Sequence, residues 1–221
     1  MQNIQRAGGA ASLMNAAIAI GNIVVVFGVL EADVAASPER VASLVTTQPA
    51  PLLALEFFKI VSALAATVTV LAVHQRLGRH AARPSKLAAV AGIISAVLLL
   101  TAGIVGAIAI TFANSSAGPG PASSMSLYLS LNTTVNGLGL AAVFANGIWY
   151  LLVSLAAVHT PWLPRGLVYL GVPLGVASLV AVVAPPAALL VLVLGLVWAV
   201  WLGLFLLREP APNVISAVMR S

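Results

Sequence analysis

The chain has 221 residues, of which 61% are hydrophobic and only 7% charged, and its mean hydropathy is +1.10. Soluble domains carry about 25% charged residues, so this composition excludes a soluble globular protein and predicts a polytopic membrane protein. The absence of cysteine excludes disulfides and cysteine-bound metals. The net charge of +5 comes from cations clustered in short loops, which indicates membrane topology and not nucleic-acid binding.

The first predicted transmembrane helix covers residues 8–30. Its apolar run exceeds the ~7–15 residues of a signal-peptide core, so we expect the helix to be retained. A short polar segment follows, in which Ser37 is a favourable N-cap. Val41, Leu44 and Val45 then share one helical edge. This pattern predicts a short amphipathic helix that lies at the membrane surface in the first outer loop.

Further apolar runs predict five more spans, at residues 52–73, 87–113, 138–158, 166–184 and 187–207. The fourth lies in an apolar region of 36 residues, Ser124–His159. As one helix this region would be about 54 Å long, well beyond a hydrocarbon core of about 30 Å. Either the helix projects outward by several turns, or it breaks near residues 136–139.

The distribution of cations predicts how the six spans are oriented. Alternating spans place eight cations on one side, namely Arg6, Arg76, Arg79, Arg83, Lys86, Arg165, Arg208 and Arg220, and only Arg40 on the other. The positive-inside rule then puts both termini in the cytoplasm. The prediction is an all-α fold of six transmembrane helices, with residues 1–221 forming a single membrane domain.

Small residues recur at intervals of four in several predicted spans. Gly171 and Gly175 lie in the fifth, and Gly195, Ala199 and Gly203 in the sixth. Small residues at this spacing let helix backbones approach closely. We expect them to pack inside one bundle and not to form a dimer interface.

Glu56 and Lys59 are the charged pair of the second span. Their i,i+3 spacing puts both side chains on one helical face. An ionisable group in hydrocarbon costs at least ~2.5–3.5 kcal/mol, so such groups face partners and not lipid. One hypothesis is an ion pair that anchors the helix to its neighbours, and the other is a ligand or proton site.

Asparagines give a second polar signal in the predicted bundle. Asn132, Asn136 and Asn146 follow a spacing that keeps them on one helical face, and Asn22 of the first span falls in the same outer half as Glu56. With the charged pair they predict a polar layer that could hold a ligand. The alternative is hydrogen bonding between helices, worth about 0.6 kcal/mol per contact.

Two regions resemble a known family. Residues 33–37 (DVAAS), 51–60 (PLLALEFFKI) and 71–77 (LAVHQRL) are similar to the family called domain of unknown function 4386. Residues 148–154 (IWYLLVS) and 162–171 (WLPRGLVYLG) resemble that family's fourth helix, Leu-Pro turn and fifth helix. The resemblance implies a bacterial six-helix membrane protein, which we expect in the bacterial cytoplasmic (inner) membrane, and it supplies no activity. The family would carry an arginine before the acidic residue of helix two, whereas here Glu56 precedes Lys59.

No nucleotide-binding, nucleophile or zinc-protease motif occurs in the sequence. His74, His80 and His159 fall at helix ends, so we assign no catalytic residue, metal ligand or cofactor. The sequence does not decide whether the protein is an enzyme. Our leading hypothesis is a non-enzymatic protein that binds a small or lipidic ligand, or a membrane-protein partner, through a polar pocket in the outer half of the bundle.

The alternatives are a small transporter, a structural accessory subunit of a membrane complex, and thirdly an enzyme acting on lipid. A transporter should have a broken helix or a cavity at the bilayer midplane. An accessory subunit should have a flat apolar face without a cavity. A lipid enzyme should bring titratable side chains together near an interface.

Overall fold

A computed structural model describes residues 2–30, 43–45, 47–115, 121–158, 160 and 162–208. These residues form six α-helices: α1 (Gln2–Ile23), α2 (Pro49–Leu77), α3 (Ala82–Asn114), α4 (Pro121–Val158), α5 (Arg165–Val180) and α6 (Ala187–Arg208). A π-helical segment, Val24–Val29, continues α1. No strand occurs in the described ranges, so the predicted all-α class is confirmed for them.

Among the described residues, five helices are long and apolar enough to cross a membrane. They are Asn3–Val29, Pro49–Leu77, Ala82–Asn114, Ser126–Val158 and Ala187–Arg208. The remaining helix, α5, has 16 residues, which corresponds to about 24 Å at 1.5 Å per residue. These helices indicate a multi-pass membrane protein.

The long apolar region before residue 159 forms one continuous helix. α4 has 38 residues and runs through Asn136 and Gly139 without a break. The structure therefore shows the second of the two predicted alternatives to be wrong, because the helix does not break. At about 57 Å, α4 is long enough to project by several turns. Most of the predicted amphipathic helix of the first loop, residues 37–42 and 46, lies outside the described residues, whereas residues 43–45 are described and are helical.

Each helix packs against its neighbours in sequence, and the last helix packs against the first. One contact marks each interface: Gly8 with Ala72, Val70 with Gly92, Ser95 with Ala142, Gly147 with Gly175, Gly171 with Trp198, and Gly203 with Gly9. Second contacts show the relative direction: Gly8 meets Ala72 whereas the later Gly21 meets the earlier Phe58, and Gly171 meets Ser154 whereas the later Gly175 meets the earlier Leu151. Neighbouring helices are therefore antiparallel, and the six form a closed ring.

Glycines let the helices approach closely at two interfaces. A Cβ atom added to Gly147 would lie 2.9 Å from the Gly175 carbonyl oxygen. Gly9 and Gly203 form a matching contact between α1 and α6. The prediction that Gly171, Gly175, Gly195 and Gly203 pack inside the bundle is confirmed, because an added Cβ would meet a neighbouring helix at each, most loosely at Gly195, where the nearest atom is Leu174 Cδ1 at 3.9 Å.

Because neighbouring helices alternate in direction, one end of the ring collects most of the described cations. This end, called the basic end below, carries Arg6, Arg76, Arg79, Arg83, Lys86, Arg165 and Arg208. Its interior is closed by fully buried leucines, Leu77, Leu167, Leu202 and Leu206. A smaller apolar cluster around Leu52, Ile110 and Tyr128 packs near the opposite end. Between the two clusters the side chains leave a space.

Candidate functional site

The space at the centre of the ring is a cavity of about 260 Å³. Five helices line it, with α1 contributing residues between 12 and 19 and α6 residues between 191 and 199. These segments lie near the middle of their helices, so the cavity lies at mid-depth in the bundle. α5 contributes no residue to the described lining, since it packs outside, against α4 and α6.

Three aromatic rings form one wall of the cavity. The ring centroids of Trp149 and Trp198 lie 5.2 Å apart, and those of Tyr150 and Trp198 lie 4.9 Å apart, both in edge-to-face geometry. Such pairs are favourable beyond the area that they bury, which fixes the orientation of the rings. Trp149 and Trp198 are almost fully buried. The cavity therefore has a rigid apolar wall formed by α4 and α6.

Two asparagines place amide groups at the cavity. The Asn15 side chain of α1 is hydrogen-bonded to Ser62 Oγ of α2 at 2.8 Å. Asn146 of α4 is hydrogen-bonded to the Tyr150 hydroxyl one turn later. In the orientation that satisfies both of its polar atoms, the Asn15 amide also donates to the Ser62 carbonyl oxygen at 3.1 Å and accepts from Ala66 N at 3.3 Å, so α2 holds both of its donor hydrogens. An amide has two donor hydrogens and an acceptor oxygen, so the bond to Tyr150 leaves Asn146 able to bind a further group.

Serine hydroxyls hold the walls of the cavity together. Ser12 Oγ donates to the Ala199 carbonyl oxygen at 2.7 Å and joins α1 to α6. Ser95 Oγ donates to the Ala142 carbonyl oxygen at 2.8 Å and joins α3 to α4. Each hydroxyl donates its single proton to the backbone of the neighbouring helix, so its role is to position the helices.

The described lining residues include no Asp, Glu, Lys, Arg or His. Unpaired charge is costly in a low-dielectric site, so this lining favours an uncharged molecule. An apolar cavity with a few convergent polar groups is the usual form of a small-molecule site. The arrangement can bind and orient a neutral ligand, and its lining offers no acid–base pair for chemistry.

Glu56 and Lys59 lie away from this cavity, towards the end opposite to the basic end. Lys59 Nζ donates to Glu56 Oε1 at 2.7 Å, and 31% of the Lys59 side chain is exposed against 11% for Glu56. The second carboxylate oxygen, Oε2, is buried and has no hydrogen-bond partner among the described residues. Glu56 contacts α3 at Gly106, where an added Cβ would meet the carboxylate.

The other predicted site residues are dispersed. Of the four asparagines, only Asn146 lines the cavity. Asn136 is exposed, and Asn22 and Asn132 are half-buried. None of the last three forms a side-chain hydrogen bond with another residue in the part of the chain that the structure describes. The predicted polar layer therefore divides into the central cavity, the Glu56–Lys59 pair and separate asparagines.

Sequence reasoning did not select most of the cavity residues. Asn15 was visible, since it stands seven residues before Asn22 on the same helical face. Trp149, Trp198 and Ser62 lacked any such signal, because tryptophan and serine are common in apolar membrane helices for other reasons. Only the juxtaposition of α1, α2, α4 and α6 distinguishes them.

The chain belongs to the family described as Domain of unknown function (DUF4386), because that family's model matches residues 7–209. The match covers all the helices that line the cavity. Comparison with curated proteins and with solved structures gave no match.

Proposed function

We propose that this member of the DUF4386 family binds a small neutral molecule, mainly apolar, in the cavity at the centre of its helix ring. The observation that carries the proposal is the mid-depth cavity, with its three-ring aromatic wall, its two amides and an uncharged described lining. The family description names no ligand. The proposal therefore rests on the shape and chemistry of the site.

The volume of the cavity limits the size of the ligand. At about 260 Å³ it exceeds an engineered cavity of about 150 Å³ that binds benzene. It is slightly smaller than the pockets of about 300–1,000 Å³ that hold drug-sized molecules. A molecule with one ring or a short branched chain fits this space, and a hydroxyl or carbonyl group would bind Asn146.

The orientation of the bundle bears on how a ligand would reach the site. We propose six membrane spans, with α5 crossing as the short one, and cytoplasmic termini. The cations at the basic end favour this orientation. Buried leucines pack between the cavity and the basic end. A ligand would then enter from the outer side or from the outer leaflet.

Transport is the second candidate function. It is favoured by the depth of the cavity, because substrate sites of secondary transporters lie near the bilayer midplane. The π-helical segment Val24–Val29 continues α1 beyond the cavity, and Pro173 interrupts the hydrogen bonding of α5. π-helical turns occur frequently at functional sites. An accessory subunit, in contrast, needs no internal cavity.

Filling the cavity tests the proposal directly. Gly195 lines the cavity, and the nearest atom to an added Cβ is Leu174 Cδ1 at 3.9 Å. Gly195→Leu should therefore fold and occupy the space. Gly137→Leu is the matched control, because an added Cβ there meets nothing within 4 Å and Gly137 is exposed on α4. Both proteins would be purified from native membranes, and bound molecules identified by native mass spectrometry.

We expect a bound small molecule in the parent and in Gly137→Leu, and its loss from Gly195→Leu. The same amount of bound molecule in all three proteins, or no bound molecule in the parent, would contradict binding in the cavity. Proteoliposomes loaded with the identified compound then separate the two functions. Flux that Gly195→Leu abolishes supports a transporter, whereas binding without flux supports a binding protein.

A further inference from the structure

A groove opens at the basic end, where the first turns of α1 meet the turn between α2 and α3. It has a volume of about 450 Å³. Ile4 and Leu71 form its apolar side, and His74, Gln75, Arg79 and Lys86 form its polar side. The groove is separate from the central cavity, since the two share no lining residue among those described.

Two cationic side chains lie at the groove. Arg79 and Lys86 line the groove, and both are exposed. The groove therefore presents positive charge next to an apolar surface.

Hydrogen bonds hold the groove in shape. His74 Nδ1 lies 2.8 Å from Ser85 Oγ and 3.2 Å from the Ser85 carbonyl oxygen. A carbonyl oxygen can only accept, so Nδ1 carries the hydrogen and Nε2 is the remaining polar atom of the ring. Ser85 Oγ in turn donates to the His74 carbonyl oxygen at 3.2 Å. This reciprocal pair joins α2 to α3 and fixes the turn that carries Arg79.

We propose that the groove binds an anionic phospholipid, with the headgroup phosphate between Arg79 and Lys86 and an acyl chain along Leu71. Basic pockets between transmembrane helices bind such headgroups. The apolar side continues from Leu71 to Leu87 and Val90, which are exposed on the outside of the bundle. A free phosphate ion would leave this apolar side of the groove uncovered. A two-part ligand, anionic at one end and hydrocarbon at the other, matches the whole groove.

Lipid binding by native mass spectrometry tests the proposal. The probes are palmitoyl-oleoyl phosphatidylglycerol and the zwitterionic phosphatidylcholine with the same chains. The variants are Lys86→Gln, the double change Arg79→Gln with Lys86→Gln, and the charge-preserving Lys86→Arg. Arg165→Gln is the matched control, because it removes one cation from the same end but from α5, away from the groove.

We expect the parent to prefer phosphatidylglycerol. Each cation removed from the groove should weaken that binding about fivefold, so the double change costs roughly 25-fold. Lys86→Arg and Arg165→Gln should bind as the parent does. If the double variant loses its helical circular dichroism in detergent, the phosphatidylglycerol binding of Lys86→Gln is compared with that of Lys86→Arg instead. Weaker binding by Lys86→Gln alone then supports the proposal.

Three results would overturn the proposal. The first is equal binding of the two lipids by the parent. The second is a loss in Arg165→Gln as large as in Lys86→Gln, which would reduce the effect to net charge. The third is displacement of phosphatidylglycerol from the parent by millimolar inorganic phosphate, which would make the groove a site for free anions.

Discussion

Gly9 and Gly203 lie backbone to backbone where α6 meets α1 and closes the ring. A Cβ atom added to Gly9 would lie 2.9 Å from the Gly203 carbonyl oxygen, and one added to Gly203 would lie 3.0 Å from the Gly9 carbonyl oxygen. Neither helix can carry a larger residue here without moving away from the other. The closure of the ring, and with it one wall of the cavity, depends on this contact.

Gly203→Leu should therefore destabilise the protein. The added side chain meets Leu13 and the α1 backbone, and overpacking of this kind costs about 1–3 kcal/mol. The measurement is the free energy of unfolding in detergent, followed by circular dichroism. Gly137→Leu makes the same change at an open position and should unfold as the parent does. Equal stability of the two variants would show that the interface tolerates separation.

The Glu56–Lys59 pair should behave as a structural ion pair. Breaking a buried pair costs about 3–5 kcal/mol, and partial exposure of Lys59 should reduce the loss to about 1–3 kcal/mol for Glu56→Gln or Lys59→Met. The double change should recover most of it, because no unpaired charge is left. Thermal unfolding of the three variants in one detergent measures this.

A different pattern would assign the pair another role. Single variants that match the parent in stability but lose the bound molecule would make the pair part of a ligand site. If all three variants match the parent in stability and in bound ligand, both side chains are solvated and the pair contributes nothing.

The interhelical serine hydrogen bonds should contribute modestly to stability. Ser12→Ala and Ser95→Ala each remove one bond between neighbouring helices, worth about 0.6 kcal/mol on average. Thr101→Val is the control, because the Thr101 hydroxyl bonds only to Val97 of its own helix and is exposed. Unfolding with a denaturing detergent should rank both serine variants below the control. A control as unstable as they are would contradict the assignment.

Reporter fusions test the proposed orientation. Alkaline phosphatase joined after Ala117 should be active, because the bias of cations places that connection outside. Fusions after Arg79 and after Arg208 should be inactive, and a cytoplasmic reporter at the same positions should give the reverse pattern. Phosphatase activity after Arg79 would show that the bundle has the opposite orientation, with the basic groove at the outer surface.

Boundaries marked by strong local chemistry were predicted well. The last span was predicted at residues 187–207, and α6 is Ala187–Arg208. Pro185 and Pro186 precede α6, and Arg208 ends its apolar run. Both ends of the helix can therefore be located from the sequence. The fifth span was predicted to reach residue 184, but α5 ends at Val180. Residues 181–183 form a turn there, and their apolar composition hides it.

The cavity was much harder to predict than the spans. In a soluble helix the apolar face marks the core, but lipid is as apolar as a protein interior, so this contrast disappears in a membrane. Leu155 and Val153 illustrate the problem, because the first faces outward and the second is buried. Polar residues such as Asn146 remain visible, whereas Trp149 and Trp198 do not. Glu56 and Lys59 drew attention by their charge, although the central cavity lies elsewhere.

Closure of the ring also determines when the cavity can exist during biosynthesis. The Ser12 hydroxyl bonds to a carbonyl that is made 187 residues later, and ribosomes add about 5–20 residues per second. For roughly 10–40 s the newly inserted α1 exposes Gly9 and Ser12 to lipid or to the insertion machinery. A nascent chain interrupted before α6 is therefore an open arc without the central cavity. Membrane proteases could recognise such an arc by the serine hydroxyl and glycine backbone that it leaves uncovered.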